Sequence, residues 1–172
     1  MVDVQLDWTL PAIALGEVRL YGAATWQPSF RRRIQPDGPM IEVINHQDEP
    51  LKWRGNLGLE WTRGPLTLDL NVQYFGRRRL ANSDASPVLI SSERIAFQGS
   101  DRVPSQLYVD LAARRRFAAP AASPVRDIEL RLGVQNLFDR SPPILAGPNL
   151  EAYDFHGDPR RRRFEVLLSA TF

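Results

Sequence analysis

Arginine supplies the densest chemistry in this chain, in runs at Arg31, Arg32 and Arg33, at Arg77, Arg78 and Arg79, at 114–116 and at 160–163. Guanidinium forks suit phosphate and carboxylate oxygens, so the runs at 31–33 and 77–79 are expected to meet an anion. Lipopolysaccharide phosphate and an anionic ligand both fit, and plain loop solubility explains the runs equally well. Nucleic acid does not fit, because the net charge is only +2 and no DNA- or RNA-binding motif accompanies the runs. His46 lies near Asp48 and Glu49, and His156 lies between Asp154 and Asp158. Each is a single imidazole, whereas a metal site needs three or four converging groups. Cysteine is absent, which removes thiolate ligands and disulfides. The serines show no GxSxG elbow. No enzyme, cofactor or metal is expected.

Those residues sit between segments of strict period two. Val2, Val4, Leu6, Trp8 and Leu10 alternate with Asp3, Gln5, Asp7 and Thr9, up to Pro11. Val18 to Trp26, Lys52 to Thr62, Leu66 to Tyr74, Leu107 to Arg114 and Asp127 to Gln135 repeat the pattern. So does the terminal RFEVLLSATF, with Leu167 the one apolar residue on its polar parity. Alternation of this kind predicts strands with one apolar and one polar face. No run of about eighteen apolar residues predicts a membrane helix. The seven strands are roughly nine to eleven residues long, the length of a tilted membrane-spanning strand. Their connections alternate short and long, and compact soluble domains rarely hold three long irregular loops. Short periplasmic turns and long extracellular loops are the habit of outer-membrane barrels. The segment Met40 to Ile44 is expected to extend a strand beyond the membrane.

The aromatics fit this orientation. Trp26, Trp53, Tyr74 and Phe164 fall at the predicted outer strand ends, and Trp8, Trp61, Phe117 and Phe172 at the inner ends. Two girdles with aliphatic residues between them are what the bilayer interfaces select. A soluble core would concentrate its aromatics near strand centres. The opposite parity carries Asp3, Asp7, Glu60, Asp69, Asp110, Asp127, Glu129 and Glu165 against Arg19, Arg54, Arg114, Arg116 and Arg131. Such a wet, mixed-charge face suits a lumen.

The terminal strand, with Phe164, Val166, Leu168, Ala170 and Phe172 on one parity, resembles the last strand of bacterial outer-membrane barrels. That resemblance implies a recognition signal for the barrel-assembly machinery. Asn136-Leu137-Phe138-Asp139, then Pro142-Pro143, Tyr153-Asp154, Gly157 and RRRF resemble the C-terminus of TonB-dependent outer-membrane receptors. LKWRGNLGLEW, LTLDLNVQYFGR and VPSQLYVDL resemble the preceding strands of that family. The resemblance implies a plugged barrel of about 22 strands. It implies active import of a scarce, bulky nutrient such as a ferric siderophore, with outer-membrane lipid as surroundings.

The fold expected is therefore an all-β, antiparallel transmembrane β-barrel segment of about seven up-and-down strands over 1–172, an incomplete barrel without its plug. A TonB contact would come only through the missing N-terminal part. No signal peptide is read at Met1, so the chain is expected to be a piece of something longer. Two rivals remain. One is a small passive porin-like barrel, needing a further strand. The other is a soluble β-sandwich or lipocalin-like binding module.

Overall fold

The computed structural model describes residues 1–13, 15–33, 35–46, 49–80, 92–118, 124–146 and 151–172. In chain order the elements are β1 (Val2–Ile13), β2 (Gly16–Trp26), β3 (Arg31–Arg32), β4 (Ile41–Glu42), β5 (Trp53–Arg63), β6 (Leu66–Phe75) and β7 (Arg78–Arg79). There follow α1 (Ser92–Gln98), β8 (Arg102–Val103), β9 (Gln106–Ala118), β10 (Asp127–Gln135), β11 (Ile144–Ala146), β12 (Glu151–Tyr153) and β13 (Arg163–Thr171). The seven long strands form one antiparallel sheet in the order β1-β2-β5-β6-β9-β10-β13. Every long strand thus pairs with its neighbour along the chain. The sheet is open at β1 and β13, and closure into a barrel is not seen.

The register explains why the sequence alternation survives into three dimensions. Trp8 pairs with Leu20, Leu20 with Leu59, Leu59 with Leu70, Leu70 with Leu111, Leu111 with Val134 and Val134 with Phe164. One hydrogen-bonded row therefore links seven apolar side chains on one face. The next row joins Arg19, Glu60, Asp69, Ala112, Gly133 and Glu165 on the other. A slip of one residue at any ladder would carry polar groups onto the apolar face. Leu167 pairs with Arg131 on the polar face, as its parity predicts.

The chain reverses tightly at one end of the sheet. Gly16 (φ 115°) and Gly64 (φ 57°) take conformations that a Cβ disfavours. Past Leu10, β1 outlasts its expected end at Pro11. A shift in pairing between Leu10 and Ile13 accommodates the proline, which lacks a ladder donor and is tolerated at edges and bulges.

At the other end lie the long connections. They are not structureless: β3 pairs with β4, β7 with β8, and β11 with β12. Helix α1 lies where the sequence pattern predicts only a loop. Its Gln98 side chain donates to the Ile144 carbonyl (2.8 Å) and accepts from the Ala146 amide (2.7 Å), tying one loop to another. The Met40 to Ile44 expectation is corrected here. Its strand residues pair with Arg31 and Arg32 and add nothing to the large sheet.

Burial is concentrated at this long-loop end. Val43, Leu51, Leu80, Val103, Leu145 and Ala146 are buried there, and Leu80, Val103 and Leu145 form a cluster. Among the described residues most of the apolar face of the sheet has no such cover, Val109 near its long-loop end being a buried exception. Leu6, Leu57, Leu132, Val166 and Leu168 are all exposed, and among the described residues no second sheet packs on them.

Candidate functional site

The uncovered face is the first candidate surface. Measured from the Trp8–Phe164 row, Trp61, Phe117 and Phe172 lie two, six and eight residues toward the tight-turn end. Trp26 and Trp53 lie six residues, and Tyr74 four, toward the long-loop end. Each set makes an oblique line across the sheet. The turn-end line drops eight residues in six strand steps, about 4.4 Å along the strand for each step of about 4.8 Å. The loop-end line drops six residues in five steps, about 4.0 Å per step. Both lines cross the hydrogen-bonded rows at about 40°. Two strands carry a member of each line, and in both the spacing is eight residues: Trp53 to Trp61 and Phe164 to Phe172. That is about 26 Å along the strand, or about 20 Å measured across the lines.

Local contacts fix several of these rings. Trp26 stacks on Trp53 with centroids 5.8 Å apart, as cross-strand partners can. Trp61 donates its indole N–H to the Leu15 carbonyl (2.9 Å), anchoring the β1–β2 turn. Arg115 lies 5.1 Å from the Phe117 ring, so its charge rests over an aromatic at the turn end of the apolar face. Phe164, Val166, Leu168 and Phe172 are 68–77% exposed along the β13 edge.

The polar face is knitted by hydrogen bonds. Arg19 donates to both oxygens of Asp7 (2.8 and 2.6 Å), Arg116 to Glu129 (2.9 Å) and Gln135 to Glu165 (2.6 Å). Toward the long loops this face opens into a cleft of about 630 Å³ whose lining includes Gln73, Tyr108, Asp110, Asn136 and Arg163.

The motif Asn136-Leu137-Phe138-Asp139 proves to be a turn. Asn136 (φ 53°) and Asp139 (φ 54°) are both left-handed, a conformation Asn and Asp tolerate best after glycine. The Asn136 side chain donates to the Arg140 carbonyl (2.7 Å) and accepts from the Arg140 amide (3.0 Å). Its own amide donates to Asp110 (2.8 Å), and the Leu137 amide to the Val109 carbonyl (2.7 Å). Asp139 accepts from the Arg162 amide (3.0 Å), joining the end of β10 to the start of β13. Phe138 stays exposed.

A buried ion cluster locks two loops together. Arg78 donates to Asp154 at 2.6 Å, each side chain being 1% exposed. Asp154 also holds the His156 amide (2.9 Å) and ring (3.0 Å). Phe155 lies 4.8 Å from the Arg78 guanidinium, and Phe75 packs 5.0 Å from the His156 ring. Burial pushes the Asp154 carboxyl up, but the His156 hydrogen bonds and the Arg78 charge outweigh it and leave it below its usual value. Nearby, the Arg160 side chain and backbone hold Asp158 down at about 2.

The arginine expectations divide accordingly. Arg78 is buried, with its guanidinium on Asp154 and 2.7 Å from the His156 Nδ1. Arg31 faces Glu42 at 3.6 Å, and Arg32 pairs with Glu49. Arg33, Arg77 and Arg79 stay exposed. Among the described residues no group of three or more His, Asp or Glu is placed to hold a metal. Sequence reading could not find the Arg78–Asp154 pair, because its partners lie 76 residues apart.

No protein-family model matches the chain, and no curated protein matches it in sequence. Among solved structures it is similar to a mutant of the ferric enterobactin receptor of Pseudomonas aeruginosa, with a TM-score of 0.55 and 17% identity. The match covers 96% of this chain and 21% of the receptor. At that identity the likeness shows the fold alone: a receptor-barrel type of antiparallel sheet, spanning about a fifth of the larger chain.

Proposed function

We propose that the chain forms a lipid-facing wall of an outer-membrane β-barrel, as the C-terminal part of a TonB-dependent receptor that imports a scarce, bulky nutrient such as a ferric siderophore. The observation that carries this is the obliquity of the two aromatic lines. Strands of membrane barrels tilt by about 35–45°, and aromatic side chains gather at both interfaces. If each line marks one interface, the strands tilt by about 40°. Two lines drawn from different residues give the same angle. Their separation of about 20 Å approaches the apolar band of about 25 Å.

Magnitudes disfavour the soluble alternatives. The apolar face spans about 29 Å between its edge strands and about 26 Å along them, roughly 750 Å². The largest apolar patch on a soluble monomer is about 300–600 Å². A sandwich would cover this face with a second sheet, and the described residues supply none. A small passive porin would need another strand, and β4 does not join the sheet. The similarity to a siderophore receptor favours active import over passive diffusion. In this reading the exposed parity of β13, ending at Phe172, is what the barrel-assembly machinery grips. TonB acts through sequence outside this chain.

The test is fractionation together with uptake. A genomic deletion is expected to abolish iron-limited uptake of one labelled ferric chelate, and the product is expected in the outer-membrane fraction. Recovery as a detergent-free soluble monomer, with uptake unchanged, would overturn the proposal.

A further inference from the structure

We infer that a cleft between the turn after β4 and the β7–β8 ladder binds a phosphate group. The cleft measures about 360 Å³, and His46, Lys52, Arg77, Arg79 and Arg102 lie in its wall. Arg79 and Arg102 stand directly opposite each other in the ladder. Their neighbours Arg78 and Val103 are buried, so alternation leaves Arg79 and Arg102 on the other, exposed side. Like charges placed directly across a ladder repel. A bound anion converts that repulsion into attraction.

Among the described residues the compensation is slight, a single long ion pair to Arg102. Asp101 is 3.8 Å from the Arg102 Nε, too far for a hydrogen bond. Among the described residues Glu42 is the one acid in the wall. It accepts from Ser29 and from the amides of Phe30 (2.6 Å) and Ile44 (3.2 Å), with Arg31 beside it. Neither Arg77 nor the Lys52 ammonium meets an acid among the described residues. His46 is 9% exposed, and its Nδ1 has no hydrogen-bond partner. The walls are also fixed relative to each other. Asn45 accepts from the Arg79 amide (2.6 Å) through its carbonyl and from the Lys52 amide (2.6 Å) through its side chain.

The donor set favours phosphate over carboxylate. Cations converge from β7, from β8 and from the approach to β5. A tetrahedral dianion presents oxygens in three directions, whereas a carboxylate offers two in one plane. Guanidinium forks add bidentate contact to phosphate. The volume admits a phosphate together with the first atoms of whatever carries it. The inference stands on loop geometry alone, so a chain that binds phosphate and transports nothing leaves it intact.

Calorimetric titration of the full chain in neutral detergent micelles tests it, with inorganic phosphate as the probe. Saturable binding at one site is expected. Arg79→Gln and Arg102→Gln should each weaken it by about tenfold or more, with unchanged β-sheet circular dichroism. Arg79→Lys should retain part of the affinity, and Arg33→Gln, outside the cleft, all of it. Competition by lipid A in mixed micelles distinguishes sources. Displacement at far lower concentration than inorganic phosphate identifies a lipid headgroup, and equal potency identifies a free phosphate or soluble ester. Failure of the wild-type chain to saturate, or equal loss in Arg33→Gln, would overturn the site.

Discussion

Trp8 and Phe164 occupy one hydrogen-bonded row, six strands apart, yet Trp8 belongs to the turn-end aromatic line and Phe164 to the loop-end line. A row that climbs from one line to the other is the geometric signature of tilted strands. In reconstituted bilayers, polarised infrared spectroscopy is expected to give a mean strand tilt of about 40°. Upright strands, within about 20° of the bilayer normal, would show that the lines do not mark interfaces.

The open edges make a second prediction. Unpaired N–H and C=O groups have no water partner in hydrocarbon, and each costs several kcal/mol there. The isolated chain should therefore pair edge to edge and conduct nothing in liposomes. Because the chain lacks cysteine, single replacements are clean probes. Val4→Cys in β1 and Val166→Cys in β13 should form intermolecular disulfides on a non-reducing gel. Leu70→Cys, in the middle of the sheet, should not.

Asp154 supplies a third. Removing one partner of a buried pair strands the other charge, at a cost of about 3 kcal/mol or more. Asp154→Asn is expected to open the chain around Arg78 and the segment 153–162 to protease, while the strands stay intact. The pH dependence follows from the lowered carboxyl. A depressed folded-state value means the clamp is fully present above the ordinary carboxylate value of about 3.9 and is lost as pH falls through the lower one. Protease resistance of the loops should persist at pH 5 and fail only below about pH 4. Opening between pH 5 and 7 would contradict the assignment.

Asn136 is the fourth. Asn136→Ala removes both side-chain bonds to Arg140 and places a Cβ without compensation at positive φ, costing about 2 kcal/mol. Asn136→Gly relieves only the backbone part and should fall between Ala and wild type in thermal unfolding in detergent. Equal melting of all three would reduce the motif to an ornament of the turn.

Much of the sheet was legible because alternation is a local signal. Each strand's parity, and the consecutive pairing that short turns impose, can be read without knowing any neighbour. Leu167 stands out as an exception from its parity alone. The loops were not legible. Two-residue ladders such as Arg31–Arg32 with Ile41–Glu42 are too short to show a period. Ser92–Gln98 is a helix held by Gln98 to a loop some 46 residues away. The arginine runs looked equivalent in sequence, yet Arg78 and Arg79 point to opposite sides of one ladder. Burial on Asp154 separates their roles, and only the tertiary fold brings Asp154 there.

The central claim is that the apolar face touches lipid, and one measurement reaches it most directly. Spin labels at single cysteines placed from Leu66 to Phe75 in β6, in reconstituted membranes, report collisions with apolar oxygen and with a water-soluble nickel chelate. Labels at positions 66, 68, 70, 72 and 74 should meet oxygen and escape nickel, and labels at 67, 69, 71 and 73 the reverse. Equal nickel access on both parities, or shielding of the even positions from both reagents, would mean the face meets water or protein instead.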